Sequence, residues 1–373
     1  MMMTDINLEA MKFTQKISLF IFLSMLCAWS EGQETTGMQN AVARGTSAAE
    51  RTGKNGFDFF ASDELLQMTL SFDAKAFLRT RNKPEYLDAT LTLKLGETNS
   101  LSQKIKIKAR GEMRRTYCAF PPVMLKFKGN GNDSGRIQGK GTLKLVTHCN
   151  PTASFEGNVL KEYLIYRMFN LVTPYSFKTR LVRMKYVDIN KPEKAFTSFG
   201  ILLENEDRMA ERNQAVLIKA LNATQKDMVS LDMARIAVFN YMVGNTDWSV
   251  PYQHNIRIMK SMEAPSDKAI PVVYDFDYSG LVNAIYAAPF EELPIKDVTE
   301  RYYLGLCGQE KELNTVIDEF TGLKDGFMNI ISSFEYLSKS EKKSVLYYIN
   351  SFYESRNFKN YLISDLNRTC KSF

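Results

Sequence analysis

Two stretches decide how this chain is read: Gly244-Asn245-Thr246-Asp247-Trp248-Ser249-Val250-Pro251-Tyr252-Gln253-His254-Asn255 and, a short way on, Val272-Val273-Tyr274-Asp275-Phe276-Asp277. Upstream of the first, Ser230 to Val243 is apolar at helical spacing, and Gly244 is the residue type that closes helices in the left-handed conformation. Between the two, Ile256 to Met259 and Ile270 to Tyr274 read as short strands joined by a turn containing Pro265. Asp247 after a helix often does no more than cap a turn. Asp275 and Asp277 at the end of an apolar strand are harder to explain that way, because carboxylates there cost stability unless paired or metal-bound. His254 reads as a hydrogen-bonding loop residue and Trp248 as packing.

Working outward, residues 57 to about 150 alternate in strand-like fashion over Gln67 to Phe72, Asp88 to Leu95, Lys104 to Ala109, Val123 to Phe127 and Thr142 to Thr147. In Lys104-Ile105-Lys106-Ile107-Lys108 strict alternation puts the isoleucines on one face and the lysines in water. Five glycines between Gly129 and Gly141 read as a hairpin loop, since no Gly-x-x-x-x-Gly-Lys-Ser/Thr is present. A helix is predicted over Asn158 to Val172, stopped by Pro174, and two strands over Thr179 to Val187 and Thr197 to Leu203. Glu204 to Asp207 reads as a solvated turn, and the Arg114-Arg115 pair as either phosphate-binding or merely solvated. Beyond about residue 311 the periods are helical. The fold class is therefore α+β: a β-rich portion over 57–205 and a mostly helical one over 206–373.

The first thirty residues carry a basic start, Met11 to Lys16, and an apolar run, Ile17 to Trp29. At about thirteen residues the run is too short to span a bilayer, and Ala28-Trp29-Ser30 offers a signal-peptidase site. Residues 1–30 are thus expected to be an export signal, with translation starting at Met11, and 31–56 a flexible tether. A lipid anchor on Cys27 is disfavoured by Leu26. The expected location is periplasmic, cell-surface or secreted, with no membrane span. The net charge of +6 is mild and the basic residues are dispersed, which argues against nucleic acid. Cys118, Cys149, Cys307 and Cys370 remain after processing; an oxidising compartment favours two disulfides, and of three connectivities the near pairs are expected. Four free thiols are the alternative. With no Cys-x-x-Cys and two histidines, zinc is disfavoured.

Helix, loop with Asp and Asn, hairpin, then Asp at a strand end is the order in which protein kinases place a catalytic base and two metal-binding residues. The wording resembles the CotH family of spore-coat and secretory-pathway kinases. The resemblance is carried by Arg110-Gly111 with Lys126, the helix Leu160-Lys161-Glu162-Tyr163-Leu164-Ile165-Tyr166-Arg167, Gly200-Ile201-Leu202-Leu203-Glu204, His254-Asn255 and Tyr274-Asp275-Phe276-Asp277. It spans roughly residues 105 to 280. It implies a two-lobed kinase-like fold and transfer of phosphate from ATP to Ser or Thr of an exported protein, with Mg²⁺ or Mn²⁺. Asp247 would orient the hydroxyl, Asn255 and Asp275 would bind metal, and Asp277 is a possible second carboxylate ligand. Arg110 and Lys126 would meet nucleotide, Glu162 would pair with the lysine, and Glu204 would lie at the hinge. Lys144 competes with Lys126, and Glu156 with Glu162. Eight positions separate Asp247 from Asn255 where the common kinase loop has five, so the loop must bulge.

Two rival readings stand beside this one. A kinase-shaped binding or scaffold protein would need no catalysis. Alternatively, Asp275-Phe276-Asp277 after an apolar strand looks like the Asp-x-Asp of a haloacid-dehalogenase-type phosphatase, although that motif normally opens a parallel sheet. A Ser-His-Asp hydrolase is disfavoured by the absence of Gly-x-Ser-x-Gly.

Overall fold

The computed structural model describes residues 52–53, 56–127, 141–219, 222–263, 266–354 and 358–371. The expected export signal, most of the tether, nearly all of the glycine-rich loop and the turn at Pro265 lie outside the described residues. β1 (Thr52–Gly53) pairs with β2 (Gly56–Phe57), so regular structure begins just ahead of Phe57.

Alternation produces the β-rich part. β3 (Leu66–Phe72), β4 (Leu87–Lys94), β5 (Ser100–Ala109), β6 (Val123–Phe127), β7 (Thr142–Val146), β8 (Thr179–Asp188) and β9 (Lys191–Leu203) close into a barrel in the order β3-β4-β5-β6-β7-β9-β8. Alternation predicts these strands one by one, and their pairing closes them into the barrel. The seam, β3 on β8, is parallel and the other barrel pairings are antiparallel. Ile105 and Ile107 of β5 are fully buried inside, with Leu70, Leu91, Val123 and Leu125.

Residues 179–182 of β8 and 198–203 of β9 are covered on both faces. Val182, Met184 and Leu202 face the barrel core, while Leu181, Ile201 and Leu203 join a second core built with the helices. Two-sided burial explains why Gly200 to Leu203 reads as an unbroken apolar run instead of alternating. Gly200 is required there, since a Cβ would come 2.9 Å from the Val146 carbonyl oxygen. α1 (Ala74–Arg79) and α2 (Met113–Tyr117) are short; α3 (Ala153–Val172) packs on the outer face of β8 and β9. α4 (Glu206–Arg212) leads into a three-stranded antiparallel sheet of β10 (Ala215–Leu217), β11 (Ile256–Ser261) and β12 (Ile270–Val273). Between β10 and β11 runs α5 (Ser230–Val243); α6 (Glu310–Ser333), α7 (Lys339–Ser351) and α8 (Phe358–Thr369) follow β12. No helix among the described residues is long and apolar enough to cross a membrane.

Glu204 is not in a solvated turn: it is buried, accepts the Lys178 N–H at 3.0 Å and pairs with Arg212 at 3.1 Å. The disulfides join Cys118 to Cys149 and Cys307 to Cys370, the near pairs. Closing loops with separations of 31 and 63 residues contributes about 4 kcal/mol each on the chain-entropy account. Reduction with dithiothreitol should therefore lower the melting temperature, read by circular dichroism, and the Cys307→Ser/Cys370→Ser variant should reproduce part of that drop.

His148 is buried, stacked on Phe120 at 5.6 Å and flanked by Tyr186 and Phe196. Burial pushes its imidazole down to about 4 against a weaker pull from Glu156. The unfolded chain takes up a proton near pH 6.5 that the folded protein refuses until about 4, so stability is lost as pH falls through that window. Urea unfolding at pH 7 and pH 4.5 should show His148→Phe losing less stability than the parent, by an amount up to about 3 kcal/mol.

Candidate functional site

α5 ends at Gly244 in the left-handed conformation (φ 67°), which turns the chain sharply towards Asp247. Two buried amides brace this turn. Asn240 donates to the Ile236 carbonyl at 2.9 Å, Asn245 donates to the Asn240 side chain at 2.8 Å, and the Asn245 side-chain oxygen accepts the Asp247 N–H at 3.1 Å. Sequence reasoning missed both; the signal was two amides five residues apart at the end of an otherwise apolar helix. Each oxygen of the Asp247 carboxylate is engaged: Oδ1 lies 2.7 Å from His254 Nε2, and Oδ2 accepts from Asn255 Nδ2 at 2.9 Å. The same Asn255 nitrogen reaches the Asp247 main-chain oxygen at 2.9 Å. The long spacing between Asp247 and Asn255 is absorbed by a small pinch, in which Ser249 and His254 exchange backbone hydrogen bonds at 3.0 Å. Tyr252 stands at its tip, almost fully exposed.

The β11–β12 register, Ile256 opposite Val273, continues with the Tyr274 N–H donating to the Asn255 carbonyl at 3.0 Å. Asn255 and Asp275 thereby line one cavity. Gln253, Asn255 and Asp275 all take left-handed backbone conformations (φ 47°, 50° and 66°), a concentration of strain of the kind found at functional sites. The Asp275 N–H is held by the Tyr166 hydroxyl of α3 at 2.8 Å. Phe276 is fully buried against Tyr166, Phe169 and Phe239, which anchors the peptide carrying Asp275 and Asp277.

Arg114 of α2 is the cation at the centre. Its guanidinium is buried and meets Asp277 at 3.0 Å, Asp275 at 3.4 Å and Glu162 of α3 at 3.4 Å. The Tyr286 hydroxyl donates to Asp277 at 3.0 Å. Burial raises Asp277 and Glu162 above the usual carboxylate range, with Arg114 opposing. Burial would also raise Asp275, but Arg114, Arg110 and Lys144 outweigh it and hold it low. Its side chain is 27% exposed, against 9% for Asp277, so Asp275 is the more accessible of the two carboxylates. Burial raises Asp247, against the opposing effect of His254.

Asp247, His254, Asn255, Asp275, Asp277 and Arg114 line a cavity of about 520 Å³ with Arg110, Gly111, Arg257, Tyr274, Tyr278 and Phe290. Its rim is basic. Arg257 and Lys144 both lie over the Tyr274 ring, at 4.7 and 4.6 Å, and share Glu206 at 2.8 and 2.6 Å. Burial pulls against them, yet the hydrogen bond from Arg257 and the charge of Lys144 bring Glu206 down to about 2.

Of the residues singled out in the sequence, Asp247, Asn255, Asp275, Asp277 and Arg110 line this cavity, and Glu162 lies just behind it on Arg114. Lys126 does not join them: it is exposed on the barrel, 5.0 Å over the Tyr86 ring, and Lys144 is the strand lysine beside the cavity. Glu204 is tied to Arg212, and Glu156 to Arg183 and Ser198. The cation on Glu162 is therefore Arg114 of the short helix α2 rather than a strand lysine. The oxygen donors facing the cavity are hard ligands of the kind Mg²⁺ takes. Among the described residues no group of three or more His, Cys, Asp or Glu could hold a metal ion by itself.

No protein-family model matches this chain, and no curated protein does. It is similar to a solved structure of the Helicobacter pylori proinflammatory kinase CtkA, with 13% identity and a TM-score of 0.37 over 68% of this chain and 96% of that one.

Removing the Arg114 charge would strand two buried carboxyls. Arg114→Met should cost about 3 to 5 kcal/mol. Because Glu162 and Asp277 are held above their unfolded values, the stability they favour exists at low pH and is lost as pH rises through the folded values. The deficit by urea unfolding should therefore be larger at pH 8 than at pH 5.

Proposed function

We propose that this chain is an exported, kinase-like phosphotransferase that moves the γ-phosphate of ATP to a Ser or Thr hydroxyl of an exported protein. The observation that carries this reading is the convergence of Asp247, Asn255 and Asp275 on one basic-rimmed cavity. Asp247 accepts the hydroxyl proton as the oxygen bonds to the γ-phosphorus and the bond to the β-phosphate oxygen breaks, releasing ADP. His254 and Asn255 fix that carboxylate in place, and burial strengthens it as a base. Asn255, through its amide oxygen, and Asp275 would hold Mg²⁺ or Mn²⁺, with Asp277 in reserve behind Arg114. A bound cation would neutralise phosphate charge, and Mg²⁺ characteristically completes its shell with water and phosphate oxygens. Arg110, Arg257 and Lys144 offer the remaining positive charge towards phosphates. The two disulfides support an oxidising compartment.

A second reading, a binding protein without catalysis, is favoured by one observation: Arg114 already neutralises Asp275 and Asp277. The phosphatase reading loses ground because the strand leading to Asp275 sits at the edge of an antiparallel three-stranded sheet. The test is thermal stabilisation by ATP with Mn²⁺ or Mg²⁺, about 2.7 kcal/mol at a hundredfold excess over Kd, together with transfer of radiolabelled phosphate. Asp275→Asn should abolish the cation-dependent shift. Asp247→Asn should keep the shift and lose transfer by about a hundredfold or more. A protein that no nucleotide stabilises is the scaffold instead.

A further inference from the structure

Lys104, Lys106 and Lys108 stand at alternate positions on the outward face of β5, and Arg110, next in the same phase, lines the candidate cavity. The register sets Lys106 directly opposite Lys126 on β6. Lys108 and Lys126 lie over the same Tyr86 ring, at 4.8 and 5.0 Å. Like charges facing one another on neighbouring strands cost stability, and counter-charge here is thin. Among the described residues Asp88 reaches Lys106 at 3.5 Å, and no ion pair is formed by Lys104, Lys108 or Lys126. A cost tolerated on a surface that leads into a site points to an anionic partner.

We propose that this strip seats an extended acidic segment of the polypeptide whose hydroxyl is phosphorylated. The partner's identity as acceptor rests on the phosphotransfer reading; the docking does not. Alternate residues on a strand repeat about every 6.4 to 6.8 Å, so the three lysines span about 13 Å and Arg110 continues the row to the cavity. An extended chain with acids at every second residue has the same repeat and direction. A strip one or two side chains wide on a curved barrel suits a chain better than a plane of lipid headgroups. Tyr86 is already covered by two ammonium groups, which removes it as a stacking platform for bases.

The probe is a fluorescein-labelled octapeptide alternating aspartate and serine, titrated by anisotropy with the disulfide-intact exported chain at about 50 and about 300 mM salt. Expected are binding that weakens with salt, about tenfold weaker affinity for Lys104→Glu/Lys108→Glu, and little change for Lys311→Glu/Lys339→Glu on the helical part. The proposal fails if the peptide does not bind, if both charge reversals act alike, or if Mg·ATP displaces it. Tighter binding of a single-stranded oligonucleotide or of phosphatidylglycerol vesicles would equally overturn it. Peptide binding retained in a protein that shows no nucleotide response would refute phosphotransfer and leave the docking surface standing.

Discussion

The guanidinium of Arg114 is the contact on which the site depends. It comes from a short helix beyond β5 and meets one acid of α3 and two acids beyond β12, three segments far apart in the chain. Remove it and Glu162 and Asp277 become uncompensated charges in a low-dielectric interior, where they protonate or force the structure apart. With it, Asp275 stays ionised and partly exposed at the cavity wall while its two neighbours are kept back. One cation thus joins the barrel to the helical part and sorts three carboxylates into different environments. The Cys118–Cys149 bridge begins four residues after Arg114 and fastens that helix to the chain leaving β7, so the guanidinium is held from both sides.

Much of this was legible from residue order. Alternation fixed the inward faces of β5 and β6, helical spacing and Gly244 fixed α5 to its last residue, and the two-sided burial of β9 showed as an apolar run. The meeting of Asp247, Asn255 and Asp275 was readable because it is local: a turn and the hairpin after it, with register set by a few backbone bonds. What could not be read is what depends on distant chain meeting chain. Whether Arg114 or Arg115 was solvated turned on α3 and β12 packing against it. The choice between Lys126 and Lys144 turned on which strand neighbours the hairpin, since both alternate correctly. Glu204 sits in a run of acids that looks hydrated until α4 brings Arg212 back onto it. The alternating lysines of β5 read from sequence as a solvated face, and only the pairing of β5 with β6 brings Lys126 beside them.

The Ser249–His254 pinch explains why spacing alone misleads in this loop. Residues 250–253 form a side excursion closed off by a pair of backbone bonds, so the effective path from Asp247 to Asn255 is short although eight positions separate them. Both ends of the excursion are tied to the functional residues, and its tip is in water. The geometry belongs to the hydrogen bonds, and the count of residues between them is secondary.

β8 and β9 form a party wall: the barrel interior leans on one side of them and the helical interior on the other. A chain built this way lacks a clean line of separation at that point, so its halves are not free to melt as independent modules or to swing as rigid jaws there. Disturbance of packing in one half is therefore felt across the wall in the other.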